Sequence, residues 1–265
     1  MSCLPEPLRV DDIPQLKPKI VVSTQVTSDQ SVVIFLTKSV GALEASEDSD
    51  PEELIAQIAV NDATITLTSD RGTYEFAFLG AGTYASGQIP LQTGEEFFLE
   101  VVSTSMGTVT SSAKVMPHVT FDYVDGRIAE DGFDTLVDVS YGFTNRQGQN
   151  YYLFSLQRFT SDSSEIEVLN PDLFSRLIDA SLMSPGQYSF RHRIEARRDF
   201  IPGDTVGVFL SNISKEYYEF MQERLDSRFN FAEFLGEPAN YPTNIEGGLG
   251  FFSLHIPDVR ILELE

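Results

Sequence analysis

Most of this chain is built from short runs of Val, Ile, Phe, Tyr and Thr, each stopped by a glycine or a polar cluster, and that punctuation commits it to strands. Residues 63–68 set Ile65 and Leu67 against threonines, the two-residue period of a strand with one buried face. Residues 19–26 and 31–38 flank a polar turn at Ser28-Asp29-Gln30. Asp70-Arg71-Gly72 turns the chain, and residues 73–79 are expected to return it as a hairpin. After Gly80-Ala81-Gly82 and Thr83-Tyr84 come runs at 96–103 and 108–115, and Pro117 marks a domain boundary. Strands at this spacing predict a small β-sandwich. With 20 Phe and 10 Tyr but no Trp, the large side chains suit pleated, half-buried surfaces.

The second half repeats the theme in longer runs, at 119–124, 135–143, 151–160, 188–196 and 205–211, with turns expected at Asp125-Gly126 and Gln147-Gly148. One segment departs from it. Over residues 215–234, Tyr217, Met221, Leu225 and Phe229 recur every four positions, which is helix spacing. Ser214 is placed to cap that helix and Glu216 to meet its positive end. A shorter helical piece is expected at 171–182, and a last strand at 259–264. A length of 265 residues favours two domains. The expected architecture is therefore all-β with a minor helix. Residues 19–117 form a first β-sandwich, and residues 118–265 a larger one with helix 215–234 packed on it. Residues 1–18, holding Pro5, Pro7, Pro14 and Pro18, form an extended tether.

The chemistry available is narrow. Eighteen basic residues against 40 acidic ones leave a net charge of −22, which argues against nucleic acid and anionic lipid as partners. No run approaches the length of an apolar membrane span. The single cysteine, Cys3, precludes an intramolecular disulfide, and in a proline-rich tail nothing fixed lowers its pKa. His118, His192 and His255 are far apart and form no zinc-binding spacing. There is no G-x-S-x-G elbow, and the G-x-G-x-x-A match at Gly80–Ala85 opens no helix. No cofactor is expected. Calcium is the one metal the acidic loops could suit, at Glu47, Asp48 and Asp50, or at Asp125, Glu130, Asp131 and Asp134, though neither set has the EF-hand spacing. Arg191, Arg193, Arg197 and Arg198 form a basic cluster that reads either as ion pairing with nearby acids or as a docking patch for an anionic partner.

Asn244-Ile245-Glu246-Gly247-Gly248-Leu249-Gly250-Phe251-Phe252, shortly after Glu237-Pro238, resembles the C-terminal signature of a Bacteroidetes lipoprotein family classed as a domain of unknown function, DUF4249. Other stretches resemble it in the same order. They are Cys3-Leu4-Pro5-Glu6-Pro7, Lys19-Ile20-Val21-Val22, Asn61-Asp62-Ala63-Thr64-Ile65 leading to Gly82-Thr83-Tyr84, and the segment around Glu216–Phe220. The likeness thus spans nearly the whole chain.

The resemblance implies that Cys3 is the acylated first residue of the mature protein, so that membrane contact runs only through this lipid anchor. It implies an outer-membrane location, on the surface or the periplasmic face. It also implies a non-enzymatic binding or accessory role beside a TonB-dependent outer-membrane transporter, with a ligand left open. The first domain resembles immunoglobulin-like or carboxypeptidase-regulatory-like sandwiches. No catalytic residue carries over from the family. The residues themselves leave open a carboxylate-based hydrolase, such as a carbohydrate-active enzyme, and a calcium-dependent adhesive module. The motif glycines Gly247, Gly248 and Gly250 are expected to shape a tight bulge that docks Phe251 and Phe252 in the core of the second domain, and Asn244 of the same motif is expected to be structural.

Overall fold

The described residues form four sheets, one three-turn helix and a short helical turn at residues 56–58. The computed structural model describes residues 17–39, 56–131, 134–148, 150–159, 172–195, 200–227 and 241–265. Strands β1 (Ile20–Val26), β2 (Ser31–Lys38), β6 (Thr83–Gln88) and β5 (Ala77–Gly80) form one sheet, extended by β15 (Leu249–Phe251), in the order β15-β1-β2-β6-β5. A second sheet runs β4-β3-β7-β8, from β4 (Gly72–Glu75), β3 (Ala63–Ser69), β7 (Glu96–Ser103) and β8 (Gly107–Lys114). Their inner faces share one core: Val22, Ile34, Leu36 and Tyr84 on one side meet Ile65, Leu67, Phe97 and Val101 on the other.

The second pair of sheets is built the same way. Strands β9 (Phe121–Asp131), β10 (Asp134–Asn145) and β13 (Gly186–Glu195) lie in the order β13-β10-β9. They face β11 (Tyr151–Phe159), β12 (Asp172–Asp179), β14 (Thr205–Ile213) and β16 (Asp258–Glu263), ordered β12-β11-β14-β16. Aromatic rings fill this core. Tyr141 stacks on Phe154 with centroids 4.1 Å apart, and Phe143 stacks on Phe190 at 5.6 Å. The fully buried Phe143 and Phe154 each contribute about 1.5–3 kcal/mol of hydrophobic stabilisation, before the entropy of ordering is counted.

Helix α1 (Lys215–Ser227) follows β14 directly, with the Ser214 hydroxyl accepting from Tyr217 N at 3.1 Å as a cap. Residues 228–234, expected to continue it, lie outside the described residues. The helix packs Phe220 and Met221 over Leu153 and Leu177, on the outer side of the β12-β11 pair.

Three local expectations are corrected. Residues 73–79 do not return as one hairpin strand. The chain changes sheets at Phe76, whose ring packs against the core, so β4 pairs with β3 while β5 pairs with β6. Asp125-Gly126 is not a turn but lies within β9, with Gly126 opposite Val139. A Cβ on Gly126 would come 2.8 Å from Leu262, so this glycine serves close packing against β16. The piece expected to be helical at 171–182 is described from residue 172 on and is not helical there: β12 pairs antiparallel with β11 from Tyr151↔Asp179 to Gln157↔Asp172. Ile178 faces the sandwich core and Leu177 lies under α1, so both faces are covered and the two-residue period is lost.

Candidate functional site

The glycine-rich segment does not dock where the sequence suggests. Ile245, Phe252 and Leu254 are buried in the core of the first sandwich, not the second. Strand β15 runs parallel to β1, pairing Val21↔Leu249 through Ser23↔Phe251. The physical reason is an open edge. Strand β1 would otherwise present unpaired N–H and C=O groups, and a parallel partner can reach it only through a long crossover, here the whole second sandwich. Phe251 points the other way and joins Phe220, Met221, Tyr217 and Tyr241 at the junction between the two sandwiches.

At its other end the segment reaches the opposite sheet. Glu246 forms a bridge to Thr110 of β8, donating to Thr110 O at 2.8 Å and accepting from Thr110 N at 3.3 Å. Asn244 ties the two ends together: its Nδ2 donates to Phe252 O at 2.8 Å and its Oδ1 accepts from Phe252 N at 2.9 Å. The glycines make this clamp possible. Gly247 and Gly250 hold φ of +79° and +86°, and a Cβ on Gly248 would sit 2.7 Å from Ile20 O. A Cβ on Gly250 would collide with Val22 O.

Where the clamp meets β8 it forms one wall of an open groove of about 530 Å³. The floor is the outer face of the β4-β3-β7-β8 sheet, bearing Thr66, Thr68, Phe98, Glu100 and Ser112, with Asn244 and Glu246 on the rim. Phe98 is 56% exposed whereas its neighbour Phe97 is fully buried. Thr110 donates from its hydroxyl to Glu246 Oε2 at 3.3 Å. This is a concave surface with one flat apolar ring among hydroxyls and carboxylates, suited to holding a polar ligand. Sequence reasoning missed it, although one signal was available. In a strand of period two, adjacent Phe97 and Phe98 cannot both face the same core, so one ring had to lie on the outer face.

The other stretches named in the sequence have structural work. Asn61 Oδ1 accepts from Gly82 N at 2.7 Å, and the Tyr84 hydroxyl donates to Val60 O at 3.0 Å. Asp62 accepts from Ser103 Oγ, Thr104 Oγ1 and Ser105 N at 2.6–2.8 Å, and these donors hold its carboxyl far below the usual range.

The arginine cluster divides. Arg191 grips the buried carboxylate of Asp138 with two donors, and Arg127 lies 3.8 Å from it. The Arg191 guanidinium holds Asp138 below its ordinary pKa. Ion pairing thus accounts for Arg191. Arg193 lies opposite Asp138 in the register, and Arg197 and Arg198 fall outside the described residues.

Of the calcium candidates, Asp125, Glu130, Asp131 and Asp134 lie among the described residues. Asp125 is exposed on β9, Asp131 ends that strand opposite Asp134, and Glu47, Asp48 and Asp50 lie outside the described residues, as does Cys3. Among the described residues no three His, Cys, Asp or Glu side chains are grouped to hold a metal. The histidines stay apart. His118 is exposed, His192 contacts Tyr141 Oη at 3.3 Å inside the second sandwich, and His255 stacks on Tyr217 at the junction.

Paired sandwiches closed by a returning C-terminal clamp define the class: a tandem β-sandwich, all-β protein. The chain belongs to the family described as "Domain of unknown function (DUF4249)", whose model matches residues 6–256. No curated protein matches it. Among solved structures it is similar to a two-domain fibronectin type-III segment of chicken tenascin. That match has 12% identity and a TM-score of 0.25, and covers 93% of this chain and 99% of that one. It is also similar to a cytokine receptor complex, at 8% identity and a TM-score of 0.26, covering 91% and 95%. At these scores the fold class rests on the sheets described above.

Proposed function

We propose that this chain is a non-catalytic binding module of the bacterial outer membrane, lipid-anchored through Cys3, which serves a TonB-dependent transporter and takes its ligand in the groove beside Phe98. The groove carries the reading. It is open, presents an aromatic ring and hydrogen-bonding side chains, and is walled by Asn244 and Glu246 of the family motif. The prolines that follow Cys3 supply the length a tethered module needs to reach a partner. The groove's carboxylates serve as acceptors for the ligand.

Tagged full-length protein recovered from native membranes is expected to bring an outer-membrane barrel with it at a fixed ratio. Cys3→Ser should release the protein from the membrane. Protein recovered alone, or a Cys3→Ser variant still attached, would refute the anchoring and the partner. A photoreactive residue at position 98 should label a ligand or partner in those membranes, while the same group at Leu182, 96% exposed and remote in the second sandwich, should not. Equal labelling at both positions would remove the groove as the site.

A further inference from the structure

We propose that the ligand is a neutral glycan, laid across β3, β7 and β8 with one sugar ring against Phe98; this rests on the groove being the ligand site. The strand register sets two rows of outward side chains next to each other. One row reads Thr68, Phe98, Ser112, and the next reads Thr66, Glu100, Thr110, ending on Glu246 across the bridge. Positions within a row are about 5 Å apart and the rows about 7 Å apart, the scale of a single sugar ring. Phe98, held in place by the burial of Phe97 beside it, offers a flat face of partial negative charge to the C–H side of a pyranose. Hydroxyls on both sides can donate and accept. The Glu100 and Glu246 carboxylates accept strongly from sugar hydroxyls.

Two observations select this ligand over other polymers. An extended peptide would bind by adding to the β8 edge, but at the groove Thr110 already exchanges both backbone bonds with Glu246, so the edge is taken. An acidic glycan or a nucleic acid would meet two carboxylates on a chain of net charge −22. A neutral polyhydroxylated chain meets neither obstacle.

The test is affinity electrophoresis of the full-length protein through gels each containing one neutral polysaccharide (an α-glucan, a β-glucan, a xylan or a mannan), at low and high salt. At least one is expected to retard the protein equally at both salt levels. Phe98→Ala should weaken that binding about tenfold or more, and Glu100→Gln by a smaller factor; each is worth following because a tenfold change is only about 1.4 kcal/mol of contact. Both residues are exposed, so both variants should keep the wild-type melting temperature. Absence of retardation by every neutral polysaccharide overturns the proposal. Retardation by oligolysine instead, salt-dependent and lost in Glu100→Gln, leaves the groove as the site but gives it a basic peptide. Retardation by a glycan that persists unchanged in Phe98→Ala and Glu100→Gln overturns the groove itself.

Discussion

Acid should loosen this protein at the junction between its sandwiches, and His255 is the residue to watch. It follows Leu254, which is buried in the first core, and precedes β16 of the second sandwich. Its ring stacks on Tyr217 of α1 with centroids 5.4 Å apart, and its Nδ1 is shut off from solvent with no hydrogen-bond partner among the described residues. Burial alone pushes its pKa down from 6.5 to about 4. The unfolded chain therefore binds the proton more tightly than the folded one between those two values. Stability is full above pH 6.5, falls as the pH drops toward about 4, and levels off below it. At about 1.4 kcal/mol per pH unit that interval amounts to about 3 kcal/mol, an upper figure because the residue keeps some solvent exposure. Carboxylates titrate in the same range, so the assay is a difference. Urea unfolding of wild type and His255→Asn is compared at pH 7.5, 5.5 and 4, values chosen to bracket the titration. The gap between the two proteins should shrink by roughly 2–3 kcal/mol from the highest pH to the lowest. Parallel curves, with a constant gap at every pH, would refute the burial argument.

Other perturbations test the clamp and the ion pair. Gly250→Ala should cost about 3 kcal/mol or more, because it adds a collision with Val22 O to the strain of φ +86°. Gly94→Ala, at φ +84° with open space around it, should cost only about 1 kcal/mol, and equal losses in urea unfolding would show that the β15–β1 contact is not tight. Arg191→Ala should lower the urea midpoint more than the more exposed Arg127→Ala, because it strips the main partner from buried Asp138. A similar loss from both would mean that Asp138 is shared evenly between them.

Much of the architecture was legible because strand period and turn chemistry are local. The alternation of Ile65 and Leu67 with threonines predicted β3, and each core leucine or isoleucine there faces inward. Helix α1 was readable from Tyr217, Phe220 and Met221 together with the Ser214 cap. Strand β12 was misread for a definite reason: with the sandwich core on one side and α1 on the other, its apolar residues fall in adjacent pairs, Leu173-Phe174 and Leu177-Ile178, four positions apart, which imitates helix spacing. Asp125-Gly126 was misread because a glycine that permits a turn also permits two sheets to approach, and only the position of Leu262 distinguishes them. Of the groove, the clamp residues were named from sequence and the floor was not.

By itself the sequence determined that the chain is all-β with an amphipathic helix, and that its C-terminal glycine motif marks a family. Those properties follow from side-chain period, backbone freedom and residue type, all of which act within a few positions. What tertiary structure alone decided is where that motif goes. Leu249–Phe251 lies about 230 residues from its partner strand in sequence, and no local pattern encodes which open edge a strand will close. The edge of β1, the backbone acceptor of Thr110 and the packing of Phe252 into the first core decide it together, and in closing that edge the motif builds the wall of the groove.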